Sequence, residues 1–176
     1  IAVISLGGIV VGDSIKLAGN TLDEAIVRGV RRMFGLIIGE STAEEIKISV
    51  GKVHLDVEDL ELEIRGRDAV TGLPRTEKVT SSDVYKMIRP TVDNIVARIK
   101  LVLEKTPPEL SADIVQHGIV LTGGGALLRG IDKAIEEEIG VPCRVAEDPL
   151  LCVAKGTGIL LEDEGLLRHV AVAYEA

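Results

Sequence analysis

The stretch Gly118-Ile119-Val120-Leu121-Thr122-Gly123-Gly124-Gly125-Ala126-Leu127-Leu128-Arg129-Gly130 decides how this chain is read. An apolar, β-branched run ends in a glycine loop, and an amphipathic pattern follows as far as Gly140, which stops it. Residues 141–145 are strand-like again, so 118–145 read as a βαβ unit and hence as part of a parallel sheet. Glycines let a backbone approach a ligand closely, and the helix expected from about residue 126 would direct its positive end at the loop. The loop is not a P-loop, because Ile131 and Asp132 stand where Lys and Ser/Thr belong. Nor is it a dinucleotide fingerprint, since Leu128 fills the third glycine position. From the pattern alone two readings stay open: a ligand-binding loop, or a turn that packs a helix tightly on a sheet.

Outward from this unit the chain alternates between the two hydrophobic periods. Residues 1–6 and 9–11 are apolar runs joined by Gly7-Gly8, which predicts a tight hairpin. Residues 14–18 look like a further strand. Thr21-Leu22-Asp23-Glu24 and Ser41-Thr42-Ala43-Glu44 each have the spacing of a capping box, predicting helices up to Gly35 and to about residue 50. Residues 60–67 alternate apolar and charged, the Thr71-Gly72-Leu73-Pro74 turn follows, and 75–80 return as an antiparallel partner. The longest helix starts at Ser82-Asp83, buries Val84, Ile88, Val92, Ile95, Ile99 and Val102 on one stripe, bends at Pro90 and ends by Pro107-Pro108. A short helix near 109–115 precedes the glycine unit, Asp148-Pro149 opens a last helix through 161, and 162–176 form a tail without a clear assignment. The opening hairpin is expected to join the parallel strands in one mixed sheet, with the charged span 19–81 as an inserted subdomain.

Composition excludes several classes. The chain has 176 residues, 46 % of them hydrophobic, which is enough to bury a core. A net charge of −8 with 2 % aromatic residues leaves neither the basic footprint nor the stacking platform of a nucleic-acid binder. No apolar run is long enough for a membrane helix. Cys143 and Cys152 make no disulfide framework, so a cytoplasmic setting is expected. His54, His117 and His169 lack metal-ligand spacing, and no triad can be assembled. Glu136-Glu137-Glu138 reads as a solvated helix face.

Glu44 and Lys47 form a second candidate site. Three residues apart on a helix, they share a face and suit a ribose hydroxyl or a base edge. The structural alternative makes Glu44 the reciprocal acid of a capping box and Lys47 its ion partner.

A set of motifs in fixed order then points to a family. They are Ile4-Ser5-Leu6-Gly7-Gly8-Ile9-Val10, Leu17-Ala18-Gly19, Leu22-Asp23-Glu24-Ala25-Ile26, Ile38-Gly39-Glu40-Ser41-Thr42-Ala43-Glu44, Arg65-Gly66-Arg67-Asp68, Pro107-Pro108-Glu109-Leu110, the stretch from Leu121 to Arg129, and Glu147-Asp148-Pro149-Leu150. From residue 1 to about 161 the chain resembles the C-terminal half of the MreB family, the bacterial actin homologues that organise cell shape. The resemblance implies one lobe of an actin-like ATPase of the RNase H-like class, a mixed sheet flanked by helices with a smaller α+β insertion. Residues 1–18 and 82–161 would be its lower subdomain and 19–81 its upper one. It implies ATP or ADP with Mg²⁺ as cofactor, with Glu44, Glu45, Ile46 and Lys47 at the adenosine and Gly124, Gly125, Ala126 and Leu127 as the second nucleotide-binding stretch.

As partners the resemblance implies further copies in a head-to-tail filament, an N-terminal lobe and membrane-associated cell-shape proteins. Localisation would be cytoplasmic, peripheral to the inner membrane through the filament, without membrane insertion by this segment. The chain opens without Met inside a strand pattern and is expected to be a fragment. The family's Asp-Ile-Gly-Gly-Gly-Thr-type phosphate loop is expected just before Ile1, so this segment alone is expected to be catalytically inactive. Two alternatives remain: a lobe of another actin or sugar-kinase superfamily ATPase, and a non-catalytic interaction module.

Overall fold

A computed structural model describes residues 1–163 together with Gly165 and Leu167. In chain order the elements are β1 (Ala2–Ser5), β2 (Gly8–Gly12), α1 (Gly19–Phe34), β3 (Leu36–Ile37), α2 (Glu40–Val50), β4 (Glu61–Asp68) and β5 (Pro74–Thr80). They continue with α3 (Ser81–Glu104), α4 (Pro108–His117), β6 (Ile119–Leu121), a 3-10 turn (Gly124–Leu127), α5 (Ile131–Ile139), β7 (Cys143–Val145), a second 3-10 turn (Pro149–Leu151) and α6 (Cys152–Glu162). The tail expected over 162–176 lies mostly outside the described residues.

The βαβ unit forms as the sequence requires: β6 and β7 pair in parallel, Ile119 to Cys143 and Leu121 to Val145, with α5 as the crossover. The opening hairpin also forms, but its turn is centred on Leu6 and Gly7, both at positive φ, one residue earlier than the Gly-Gly pair suggests. The mixed α/β class is as expected, but among the described residues the strands do not join in one hydrogen-bonded sheet. The β1–β2 hairpin, the antiparallel β3–β4–β5 sheet and the β6–β7 pair are separate ladders among the described residues. Residues 14–18, expected as a strand, run without a ladder; Ser14, Ile15, Lys16 and Leu17 instead wall a groove of about 490 Å³ against Asn94, Ala97, Arg98 and Leu101 of α3.

Neither expected capping box closes. α1 starts earlier, after Ala18, so Thr21 lies inside the helix and its hydroxyl donates back to Lys16 O at 3.3 Å. α2 starts after Gly39 with no side-chain cap, which places Ser41 and Glu44 within the helix. The capping box of this fold is at α3, where the Thr80 hydroxyl accepts from Asp83 N and the Asp83 carboxylate accepts from Thr80 N. The helix thus begins at Ser81, one residue before the expected Ser82-Asp83 start, because Thr80 and Asp83 cap it.

One continuous core joins the elements. Ile26 and Val30 of α1, Ile46 and Val50 of α2, Ile64 and Val79 of the antiparallel sheet, and Val84, Ile88 and Val92 of α3 pack with Leu128, Ile131 and Ile135 beyond the glycine loop. The α3 stripe is wider than its apolar spacing predicts, because Met87 and Val96 are buried with it. Where α1 meets α3 the fit leaves no room: a Cβ at Gly29 would come within 2.9 Å of Met87 Cβ and closer still to its Cγ and Sδ. Gly29→Ala is therefore expected to destabilise the fold by about 1–3 kcal/mol in urea titration, with part of the loss recovered on adding Met87→Ala. A Gly29→Ala variant as stable as wild type would show that the helices cross more loosely.

Candidate functional site

The site is assembled from two short segments, linked through Leu128 and Arg129 just past the first and Val50 and Gly51 at the end of the second. The first is the turn after β6. Gly123 N donates to Pro149 O at 2.8 Å, which anchors the loop on the second 3-10 turn, and Ala126 N donates to Gly123 O at 3.2 Å as the first bond of Gly124–Leu127. The N–H groups of Gly124 and Gly125 come before that first bond and have no recorded partner among the described residues, as is usual at a helical start. Gly124 and Gly125 are exposed, and a Cβ built on Gly125 meets nothing within 4 Å. Ala126 is buried, whereas Leu127 is 54 % exposed.

One expectation is corrected here. The glycines do not open an α-helix: Leu128 returns to extended backbone, Gly130 takes positive φ, and α5 starts only at Ile131. The positive end of α5 therefore does not face Gly124 or Gly125. What remains is an exposed backbone that is open at Gly125, while at Gly124 a Cβ would stand 3.4 Å from Leu150 Cδ2.

The second segment is α2. Its four candidate positions divide by helical period. Ile46 is fully buried and contributes its side chain to the core, Glu44 and Glu45 are exposed, and Lys47 is half-buried. The Glu44–Lys47 ion pair of the structural alternative does not form. Lys47 Nζ instead reaches across to α1, 2.8 Å from Asp23 Oδ2 and 3.5 Å from Gly19 O. Asp23 is itself buried, and its Oδ1 has no hydrogen-bond partner. Glu44 makes neither a cap nor an ion pair among the described residues, so both structural roles considered for it fall away. Its carboxylate is a free acceptor, suited to a hydroxyl or an amino group.

Arg129 joins the two segments, and sequence reasoning assigned it no role. Its guanidinium donates to Gly51 O, Val50 O, Glu58 O and Ser81 Oγ at 3.1, 3.3, 3.3 and 2.8 Å. No sequence spacing signals such bonds, because their acceptors are mostly backbone carbonyls 71 to 79 residues away.

Other candidates supply less. A pocket of about 460 Å³ between α3 and α5 is lined by His54, Leu55, Asp56, Tyr85, Arg89, Glu137 and Glu138, but its charges are already matched: His54 Nε2 lies 3.2 Å from Glu137 Oε2 and Arg89 pairs with Asp93 and Glu138. All three acids of the triple-glutamate run are exposed, as a solvated face requires, and each also makes a surface contact: Glu136 with Cys143 N, Glu137 with His54 and Glu138 with Arg89 and Lys100. Burial, reinforced by the negative charges of Asp132 and Glu136, pushes the Cys143 thiol up to about 11, so it is no nucleophile at neutral pH. Among the described residues no group of His, Cys, Asp and Glu side chains could hold a metal ion, and no helix is long and apolar enough to cross a membrane.

Known proteins resemble the chain in sequence and in fold. Residues 1–169 match the MreB/Mbl protein family. The chain is 53 % identical over 163 residues to the cell shape-determining protein Mbl of Bacillus cereus (strain ATCC 10987 / NRS 248), covering 93 % of this chain and 49 % of that protein. It is 46 % identical over 162 residues to the cell shape-determining protein MreB of Escherichia coli (strain K12), covering 92 % and 47 %. It thus spans about half the length of the curated relatives it matches. A crystal structure of MreB5 of Spiroplasma citri bound to AMPPNP superposes with a TM-score of 0.89 at 37 % identity over 97 % of this chain and 50 % of that one. The MamK double helical filament superposes at 0.72 with 23 % identity over 85 % and 46 %, a likeness of fold alone.

Lys47→Ala would leave the buried Asp23 carboxylate unpaired and is expected to cost about 2–4 kcal/mol in chemical denaturation, far above an exposed helix pair. Adding Asp23→Asn should recover part of that loss. A cost under about 0.5 kcal/mol would reduce the contact to an ordinary surface pair.

Proposed function

The chain belongs to the MreB/Mbl family of actin-like cell shape-determining proteins, and we propose that it forms the adenosine-side wall of the ATP cleft of such a protein. One observation carries the reading: Arg129 fastens the segment of the exposed glycine backbone to the helix that bears a half-buried Lys47 and a Glu44 without a partner among the described residues. These groups fit a nucleoside. The carboxylate accepts from ribose hydroxyls, the glycine N–H groups donate, and the open space at Gly125 admits a planar base or a sugar, with Leu150 beside Gly124 as an apolar neighbour. Glu45 and Leu127 border the same surface, while Ile46 and Ala126 hold it to the core. The solved relative bound to AMPPNP supports the assignment.

Hydrolysis asks for more. Phosphoryl transfer needs groups that clamp the phosphates, hold Mg²⁺ and orient water. In this reading those groups belong to the remainder of the protein, so the segment by itself binds weakly and does not turn over ATP. The division into a lower subdomain, 1–18 with 82–161, and an inserted upper one, 19–81, belongs to the same proposal. So does head-to-tail assembly of successive copies, a heterologous contact that does not close. Exposed Ile4, Leu6 and Ile9 on the opening hairpin and Leu150, Val153 and Leu161 near α6 provide apolar surface for burial against the other lobe or another copy. Cytoplasmic assembly beside the inner membrane, together with membrane-associated cell-shape proteins, completes the proposal.

Two substitutions separate binding from folding. Gly125→Val adds bulk into open space and should leave thermal stability close to wild type, yet weaken a fluorescent ATP analogue in the full-length protein by tenfold or more, about 1.4 kcal/mol. Glu44→Gln, at an exposed unpaired position, should lose roughly five- to thirtyfold with an unchanged melt. Unchanged affinity in both variants would reject the assignment. For the isolated segment, Mg²⁺-dependent phosphate release above background would show that it needs no further lobe.

A further inference from the structure

We infer that Arg129 is a positioning residue of this cleft: it locks the glycine turn to the end of α2, so that Gly124–Leu127 and the helix turn bearing Glu44 and Lys47 keep one fixed separation. The inference rests on the cleft proposed above and adds to it a residue that need not touch the nucleotide.

The guanidinium makes four hydrogen bonds, from Nε to Gly51 O at 3.1 Å, from Nη2 to Val50 O at 3.3 Å and Ser81 Oγ at 2.8 Å, and from Nη1 to Glu58 O at 3.3 Å. None of the acceptors is a carboxylate. The cation is held instead at the C-terminal end of α2, where unpaired carbonyls carry the negative end of the helix dipole. The backbone repeats the clamp, since Val53 N donates to Arg129 O at 3.0 Å and Lys52 bridges Arg129 in parallel.

Packing tightens it further. Leu128 is buried beside the end of α2, so close that a Cβ on Gly51 would stand 3.0 Å from Leu128 Cδ1. Ser81, fully buried, carries the same contact to the start of α3 and to Leu60, whose N–H donates to Ser81 Oγ at 3.0 Å.

The geometry demands an arginine. A planar fork can reach two carbonyls of one helix end and a hydroxyl beyond them, whereas an ammonium is a point charge. The turn ends at Leu127, two residues before Arg129, and Lys47 lies one helical turn before Gly51. Movement of the guanidinium therefore changes the distance between the two halves of the cleft directly.

The test uses the intact protein, comparing wild type with Arg129→Lys and Ser81→Ala well below their melting temperatures. Amide exchange without nucleotide reads the clamp, and titration with a fluorescent ATP analogue reads the cleft. Arg129→Lys should speed exchange at Val53 and weaken binding about three- to tenfold, and the loss caused by Lys47→Ala should shrink in that background. Ser81→Ala, which removes one of the four bonds, should show the same changes at smaller size and guards against misfolding of the stronger variant. Faster exchange with unchanged affinity, or losses that simply add, would overturn the inference and make Arg129 a structural clamp alone. A wild-type protein that binds no nucleotide would instead refute the cleft itself, and this inference with it, so the two failures are read in different arms.

Discussion

A helix must satisfy its last carbonyls, and α2 does so with an arginine contributed from beyond the glycine loop. This long-range bond set organises the structure around the site. It brings the 50–58 region, the start of α3 and the end of the Gly124–Leu127 turn to one guanidinium. The core runs beneath this junction, with Val50, Leu128, Ile131 and Val84 in the same buried cluster. A surface made of two segments distant in sequence thereby sits on a common rigid base, which a ligand contact spread over both requires.

Lys47 holds the fold together at a position where the proposed cleft would also use it. Its bond to Asp23 ties α2 to α1 and leaves the second carboxylate oxygen of Asp23 buried without a partner. A contact between Lys47 and a nucleoside would compete with that pair or share it. Glu44 carries no such obligation, and its exposure makes it the cleaner reporter of binding. Around the glycine turn the division is similar: Ala126 and Leu128 are buried for the fold, while Gly124 and Gly125 between β6 and the core are left uncovered.

Much of this architecture was legible in local pattern. The parallel pair around α5, the hairpins, the α3 stripe and the glycine stops at Gly35 and Gly140 all follow from period and turn chemistry. The failures share a cause, for each depended on a neighbour distant in sequence. Residues 14–18 have the alternation of a strand and no strand edge beside them among the described residues. Thr21 and Ser41 have cap spacing, yet the backbone enters each helix earlier, through Ala18 and Gly39. Leu128 leaves the helical path to meet the end of α2, so α5 begins later than its amphipathic pattern suggests. Lys47 does not pair with Glu44, three residues back, but with Asp23 on α1 at 2.8 Å. The residue types of the site were readable, but the bond set that brings them together was not.

The central claim is that one nucleoside-facing surface is built from α2 and the glycine turn. Photolabelling of the full-length protein with 8-azido-ATP, followed by peptide mapping, tests it most directly, because the reactive group sits on the base. The account predicts label in peptides containing Glu44 and Lys47 or Gly124–Leu127, suppressed by excess ATP. ATP-protected label confined elsewhere, for instance to the pocket of His54, Tyr85 and Arg89, would contradict it.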